Sequence, residues 1–161
     1  MLFRSVEIVA LPKESVLWEA YTPGDFIDGY RIKAPYAPRQ AAEVAMHFQP
    51  WVRALLGFRN AIMRPFGLKG ARAGGDTIAI FPVVQETETE LVLGFDDKHL
   101  DFRISILSRN GYVHCATWVH RHNWLGRAYL IIVMPVHILL SKQMMARVSR
   151  HARSDLALPP A

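Results

Sequence analysis

Three ionisable side chains fall where the hydrophobic pattern leaves room for apolar ones. Arg59 lies near the centre of a helical stripe formed by Val52, Leu55, Ile62 and Met63. Asp28 shares a strand face with Phe26, Tyr30 and Ile32. His137 shares a helical stripe with Val133, Val136, Leu140 and Met144. A charge turned towards a core must be paired, reach water along its own stem, or be neutralised. For Arg59 the simpler reading is a structural ion pair with Asp28. The functional reading is a clamp for a ligand carboxylate or phosphate, which a planar two-pronged donor suits. His137 facing a cavity would be an acid or base near neutral pH. The simpler reading, again preferred, is a core histidine satisfied by a backbone carbonyl or a tyrosine hydroxyl. Tyr129, two turns earlier on the same stripe, is either that partner or a hydrogen-bond donor to a ligand. Phe102, on the apolar face of the sheet, completes the expected binding set.

A second constellation, His99, Asp101, His120 and His122, has the residue types of a zinc or iron site. Strand register puts it opposite the apolar face and sets Arg103 beside Asp101, where a guanidinium repels a cation. Neither an HExxH run nor paired cysteines support a metal. The expectation is an exposed cross-strand network, each pair contributing at most about 1 kcal/mol, with no metal and no cofactor. Cys115, the single cysteine, falls on the apolar face with no base placed to activate it. The chain carries no nucleophile elbow, P-loop or Gly-rich dinucleotide fingerprint.

The elements that must position these residues follow from periodicity. Residues 26–33 alternate as a strand, ended by Ala34-Pro-Tyr-Ala-Pro, and a weaker early strand is expected near 3–11. Helices are expected over 39–48 and 50–64, the second opened by Pro50 and broken by Pro65 and Gly67. A loop follows over 69–75, then strands over 77–85, 90–95, 100–108 and 112–122. Asn110-Gly111 tolerates the positive φ of a two-residue hairpin. A tight turn there opposes Phe102 to Val119, Ile104 to Thr117, Ile106 to Cys115 and Asp101 to His120. The turn around residues 96–99 is expected to set Leu93 against Phe102 and Leu91 against Ile104. Asn123 is placed to cap a last helix from Trp124 to about Arg150. Its inner stripe is Gly126, Tyr129, Val133, Val136, His137, Leu140 and Met144. Lys142, Ser149, Ile131 and Ile138 lie on other sides.

The chain's 161 residues, 51% hydrophobic and 20% charged, fit one globular domain over 1–153 with a loose tail over 154–161. One cysteine and no basic-then-apolar leader lead to an expected cytoplasmic location. The formal charge of +5 is scattered except near the C-terminus, where Lys142, Arg147, Arg150, His151 and Arg153 suit a helix end. Nucleic acid is therefore not an expected partner. The most apolar run, 128–140, is interrupted by Pro135 and His137 and is shorter than the roughly 20 residues of a membrane span.

Strand, two helices, antiparallel sheet and long terminal helix resemble the helix-grip order of START-like and Bet v 1-like domains. More specific wording covers residues 25–148: Trp51-Val-Arg-Ala-Leu-Leu-Gly-Phe-Arg-Asn, Arg64-Pro-Phe-Gly, Leu93-Gly-Phe-Asp-Asp-Lys-His-Leu-Asp-Phe-Arg and His122-Asn-Trp-Leu-Gly-Arg-Ala-Tyr. These runs resemble a bacterial family of unknown function grouped with Bet v 1-like domains, some members of which sit behind an NmrA-like Rossmann domain. The resemblance implies an α+β helix-grip-like fold, a curved antiparallel sheet wrapped on the long C-terminal helix, and a ligand cavity. It carries over no catalytic residue. The expected function is binding of a partly apolar small molecule, anionic if Arg59 is a clamp, through Arg59, Tyr129, His137, Asp28 and Phe102. The alternatives are a cyclase-, dehydratase- or isomerase-type enzyme using His137, and a non-catalytic module that self-associates or meets a membrane surface through the outer side of the last helix.

Overall fold

The computed structural model describes residues 5–47 and 75–157. Its elements are β1 (Glu7–Ile8), α1 (Leu17–Ala20), β2 (Phe26–Ile27), β3 (Tyr30–Lys33), α2 (Pro38–Ala45), β4 (Thr77–Ile78), β5 (Phe81–Glu86), β6 (Glu90–Asp96), β7 (Leu100–Arg109), β8 (Tyr112–Arg121) and α3 (Trp124–Ala157). Among the described residues the strands form one curved antiparallel sheet in the order β1-β3-β8-β7-β6-β5-β4, with β2 also on β8. Together with α3 this is a helix-grip-like α+β fold. The expected helix over 50–64, and Arg59 with it, lie outside the described residues.

Asn110 and Gly111 both take positive φ, 52° and 76°, which closes a hairpin whose twist matches its strands. The β7–β8 register follows as expected, with Phe102 opposite Val119 and Asp101 opposite His120. The β6–β7 register does not. Leu93 faces Ile104, Leu91 faces Ile106 and Phe95 faces Phe102. The Asp97 N–H donates to the Leu100 carbonyl at 3.1 Å, so the turn centres on Lys98 and His99, one residue later than expected. That moves the pairing by two residues, and each side chain keeps its face. Two expected strands are each divided. Ala79, at φ 55°, turns the chain between β4 and β5. Residues 28 and 29 interrupt β2–β3 without changing the register with β8.

The inner face carries the main core, including Tyr30, Ile32, Leu91, Leu93, Ile104, Ile106, Val113 and Cys115, closed by α2 and by Met144, Met145 and Val148 of α3. The outer face is not exposed throughout. Residues 11–21 cross its middle and bury Leu11 and Leu17 against Val92, Ala116 and Trp118. Glu90 fastens this crossing. It is 3% exposed, and its carboxylate accepts from the Ser15 and Ser105 hydroxyls and, at 3.0 Å, from the Val16 N–H. Three donors compensate the desolvation of a buried carboxylate.

α3 runs to Ala157, past the expected end near Arg150, so residues 154–157 are helical rather than part of a loose tail. Tyr36 holds this last stretch: its hydroxyl donates to Asp155 and lies 2.9 Å from Nδ1 of His151. Ser149, expected to face away from the core, is 4% exposed, because α2 and β3 both pack on this half of the helix. At the other end, a Cβ on Gly126 would lie 2.3 Å from the His99 carbonyl oxygen. The helix start therefore sits directly on the β6–β7 hairpin.

Candidate ligand cavity

Where the first half of α3 passes over the inner face, the two surfaces do not close completely. A cavity of about 340 Å³ remains between them, within the size range of small-molecule sites. The sheet contributes Phe26, Phe81, Phe95, Phe102, Ile104 and Val119 to its wall, and the helix contributes Tyr129, Val133, Val136, His137 and Leu140. Phe102 packs between Phe81 and Phe95, with ring centroids 5.7 and 5.5 Å away. The lining is apolar except for Thr117, Tyr129, His137, Ser141 and the Cys115 thiol.

One ionisable contact stands at this wall. His137 Nε2 lies 2.8 Å from Oδ2 of Asp28, and the two side chains are only 19% and 15% exposed. Asp28 sits where β2 gives way to β3. Its backbone N–H keeps the ladder by donating to the Thr117 carbonyl at 3.1 Å. The Thr117 N–H turns instead to Oδ1 of the Asp28 side chain, at 2.8 Å. Burial first, and then the nearby Asp28 carboxylate, push the Tyr30 pKa up to about 12. A carboxylate only accepts hydrogen bonds, so the ring nitrogen facing Asp28, Nε2, is the one that carries hydrogen; whenever the ring is neutral its lone pair lies on Nδ1. Ser141 Oγ approaches the same Nε2 at 3.4 Å. In a nucleophilic triad the acid and the hydroxyl engage opposite ring nitrogens, so these three residues are not one. The Phe26 ring meets His137 edge to face at 6.0 Å. Burial, followed by the Asp28 charge, raises the pKa of the Cys115 thiol, which keeps it unreactive.

Of the residues singled out in the sequence, Tyr129, His137 and Phe102 line the cavity and Asp28 meets His137 from the sheet. Asp28 was expected to pair with Arg59. Its partner among the described residues is His137, which in turn takes a carboxylate instead of a tyrosine or a backbone carbonyl. Thr117 and Ser141 escaped the sequence reading because small hydroxyl residues are common on strands and helices. The histidine cluster is divided among separate partners. His122 Nε2 is 3.0 Å from Asp101, and His120 Nδ1 is 2.6 Å from Asp25, which also accepts from Trp118 Nε1 at 3.0 Å. Asn123 joins His99 at 3.0 Å and caps α3 by accepting the Gly126 N–H at 3.1 Å. Arg103 pairs with Asp96 at 2.6 Å. Among the described residues no three His, Cys, Asp or Glu side chains converge as metal ligands. Asp25 went unnoticed, although the preceding Thr22-Pro-Gly marks a turn.

The other side of α3 is apolar and open to solvent. Trp124 and Ile131 are 77% and 75% exposed, with Ile138 and Leu139 exposed beside them; Ile132, 76% exposed, also borders the cavity. By length and composition alone α3 is long and apolar enough to cross a membrane, with mean hydropathy 1.6 over its most apolar window.

A family model described as "Protein of unknown function (DUF2867)" matches residues 21–144. No curated protein and no solved structure matches the chain.

Proposed function

The chain belongs to the DUF2867 family of proteins of unknown function, and on that premise we propose that it binds a small, mainly apolar molecule between the sheet and α3. The observation that carries this reading is the apolar cavity of about 340 Å³ with one buried His–Asp contact at its wall. A cavity larger than a water molecule forfeits packing, and an occupant would restore it. The helix-grip-like arrangement supports the same reading by its likeness to Bet v 1-like domains, which is an analogy of fold. Native mass spectrometry of the purified protein, with displacement of an environment-sensitive naphthalene dye, tests it. Displaceable dye in the natural chain and none in Val133→Trp, which fills the cavity, is the expected result. Dye binding unchanged by that substitution would overturn it.

The His137–Asp28 contact supports a second reading, an isomerase- or dehydratase-type enzyme. A carboxylate that fixes the tautomer of a histidine beside a water-poor cavity prepares Nδ1 to take and return a proton. Full turnover by His137→Gln on any identified substrate would remove this reading.

The exposed face of α3 supports a separate role, self-association through that face. Residues 128–141 carry no formal charge apart from His137 on the inner side, so two copies can meet there without like-charge repulsion despite the net +5. Light scattering should report a dimer that Ile131→Ser with Ile138→Ser dissociates. A monomer, whether it ignores or binds anionic vesicles, would exclude self-association.

A further inference from the structure

We propose that the cavity selects ligands that present a hydrogen-bond donor, such as a phenol or alcohol hydroxyl on a ring-shaped apolar body, to Nδ1 of His137. This inference rests on the cavity reading and specifies its chemistry. The Asp28 carboxylate is occupied on both oxygens, by Thr117 N–H at 2.8 Å and by His137 Nε2 at 2.8 Å. It therefore fixes the ring but does not itself meet the ligand. Among the described residues Nδ1 of His137 has no hydrogen-bond partner, while the ring forms part of the cavity wall. A neutral imidazole held in this tautomer accepts one hydrogen bond, which a ligand donor can supply in place of water. A ligand hydroxyl meets it; a hydrocarbon does not.

The charge of Asp28 also discriminates. A ligand carboxylate would bring a second negative charge to a wall that already holds one, and among the described residues no lysine or arginine lines the cavity. The flat body of the ligand follows from Phe26, Phe81, Phe95 and Phe102, whose rings supply the faces and edges on which another ring packs.

Calorimetric titration of the full chain with 2-naphthol, naphthalene and 2-naphthoate tests this on unaltered protein. The expected order is 2-naphthol, about fivefold to tenfold tighter than naphthalene, as one net hydrogen bond gives, with 2-naphthoate weakest. In His137→Phe the preference for 2-naphthol over naphthalene is lost. Naphthalene and 2-naphthol binding equally, or 2-naphthoate binding best, overturns the proposal while leaving the cavity reading intact. Failure of all three to bind overturns both.

Discussion

Asp28 and His137 meet at 2.8 Å across 109 residues of chain, one from the break between two short strands and the other from the middle of the longest helix. The contact ties α3 to the sheet at the same place where it shapes the cavity wall. Asp28→Ala would leave the Thr117 N–H and the His137 ring without their acceptor. The expected cost is about 2–3 kcal/mol, read as a lower urea midpoint. Asp28→Asn, which keeps an acceptor oxygen, should cost about half as much. A midpoint unchanged in Asp28→Ala would show that the contact contributes nothing to folding.

Two phenols should titrate late. Burial and then Asp28 push Tyr30 up to about 12, and burial and then Asp155 push Tyr36 up to about 12, from an ordinary value of 10.0. The upward shift means that folding favours the protonated phenol. This stabilisation is whole below pH 10 and is lost as the pH rises from 10 towards about 12. Ultraviolet absorbance during alkaline titration should show ionisation near 12 that Tyr30→Phe and Tyr36→Phe each reduce. Complete tyrosine ionisation before pH 11 in a folded chain would contradict it.

The legibility of these features differed for physical reasons. The β7–β8 register was readable because Asn110-Gly111 admits few turn geometries, and one turn then fixes each pair along two ten-residue strands. At Lys98-His99 no glycine marks the turn, and a two-residue slip leaves the apolar pattern unaltered, so the face was legible and the register was not. Asp28 and His137 each stood out as polar residues on apolar faces, but periodicity gives faces and not partners, so their contact was invisible. The outer-face core was hidden because its cover, residues 11–21, lacks the period of a helix or strand. The extension of α3 depends on Tyr36, more than a hundred residues upstream.

The cover on the outer face should depend on one carboxylate. Glu90→Ala leaves two buried serine hydroxyls and the Val16 N–H unsatisfied, at an expected cost of about 3 kcal/mol. Hydrogen exchange should then quicken in residues 11–21 while the β7–β8 amides stay protected. Uniform acceleration over the whole sheet would mean that this segment does not open independently.

Gly126 sets how closely α3 approaches the hairpin below it. Alanine there would put Cβ 2.3 Å from the His99 carbonyl oxygen, which forces the helix start outward. Gly126→Ala should lower the melting temperature despite its better helix propensity, with a cost of about 1–3 kcal/mol. A stabilised variant would contradict the close approach.

The central claim is that an apolar molecule occupies the space between the sheet and α3. Two-dimensional NMR of the full chain titrated with naphthalene tests it most directly. Saturable shifts centred on Phe102, Val119, Val133 and His137, with those of the outer-face residues Val92, Ala116 and Trp118 unmoved, are the predicted result. Shifts confined to Trp124, Ile131 and Ile138 on the exposed side of α3, or no saturable shifts at all, would contradict it.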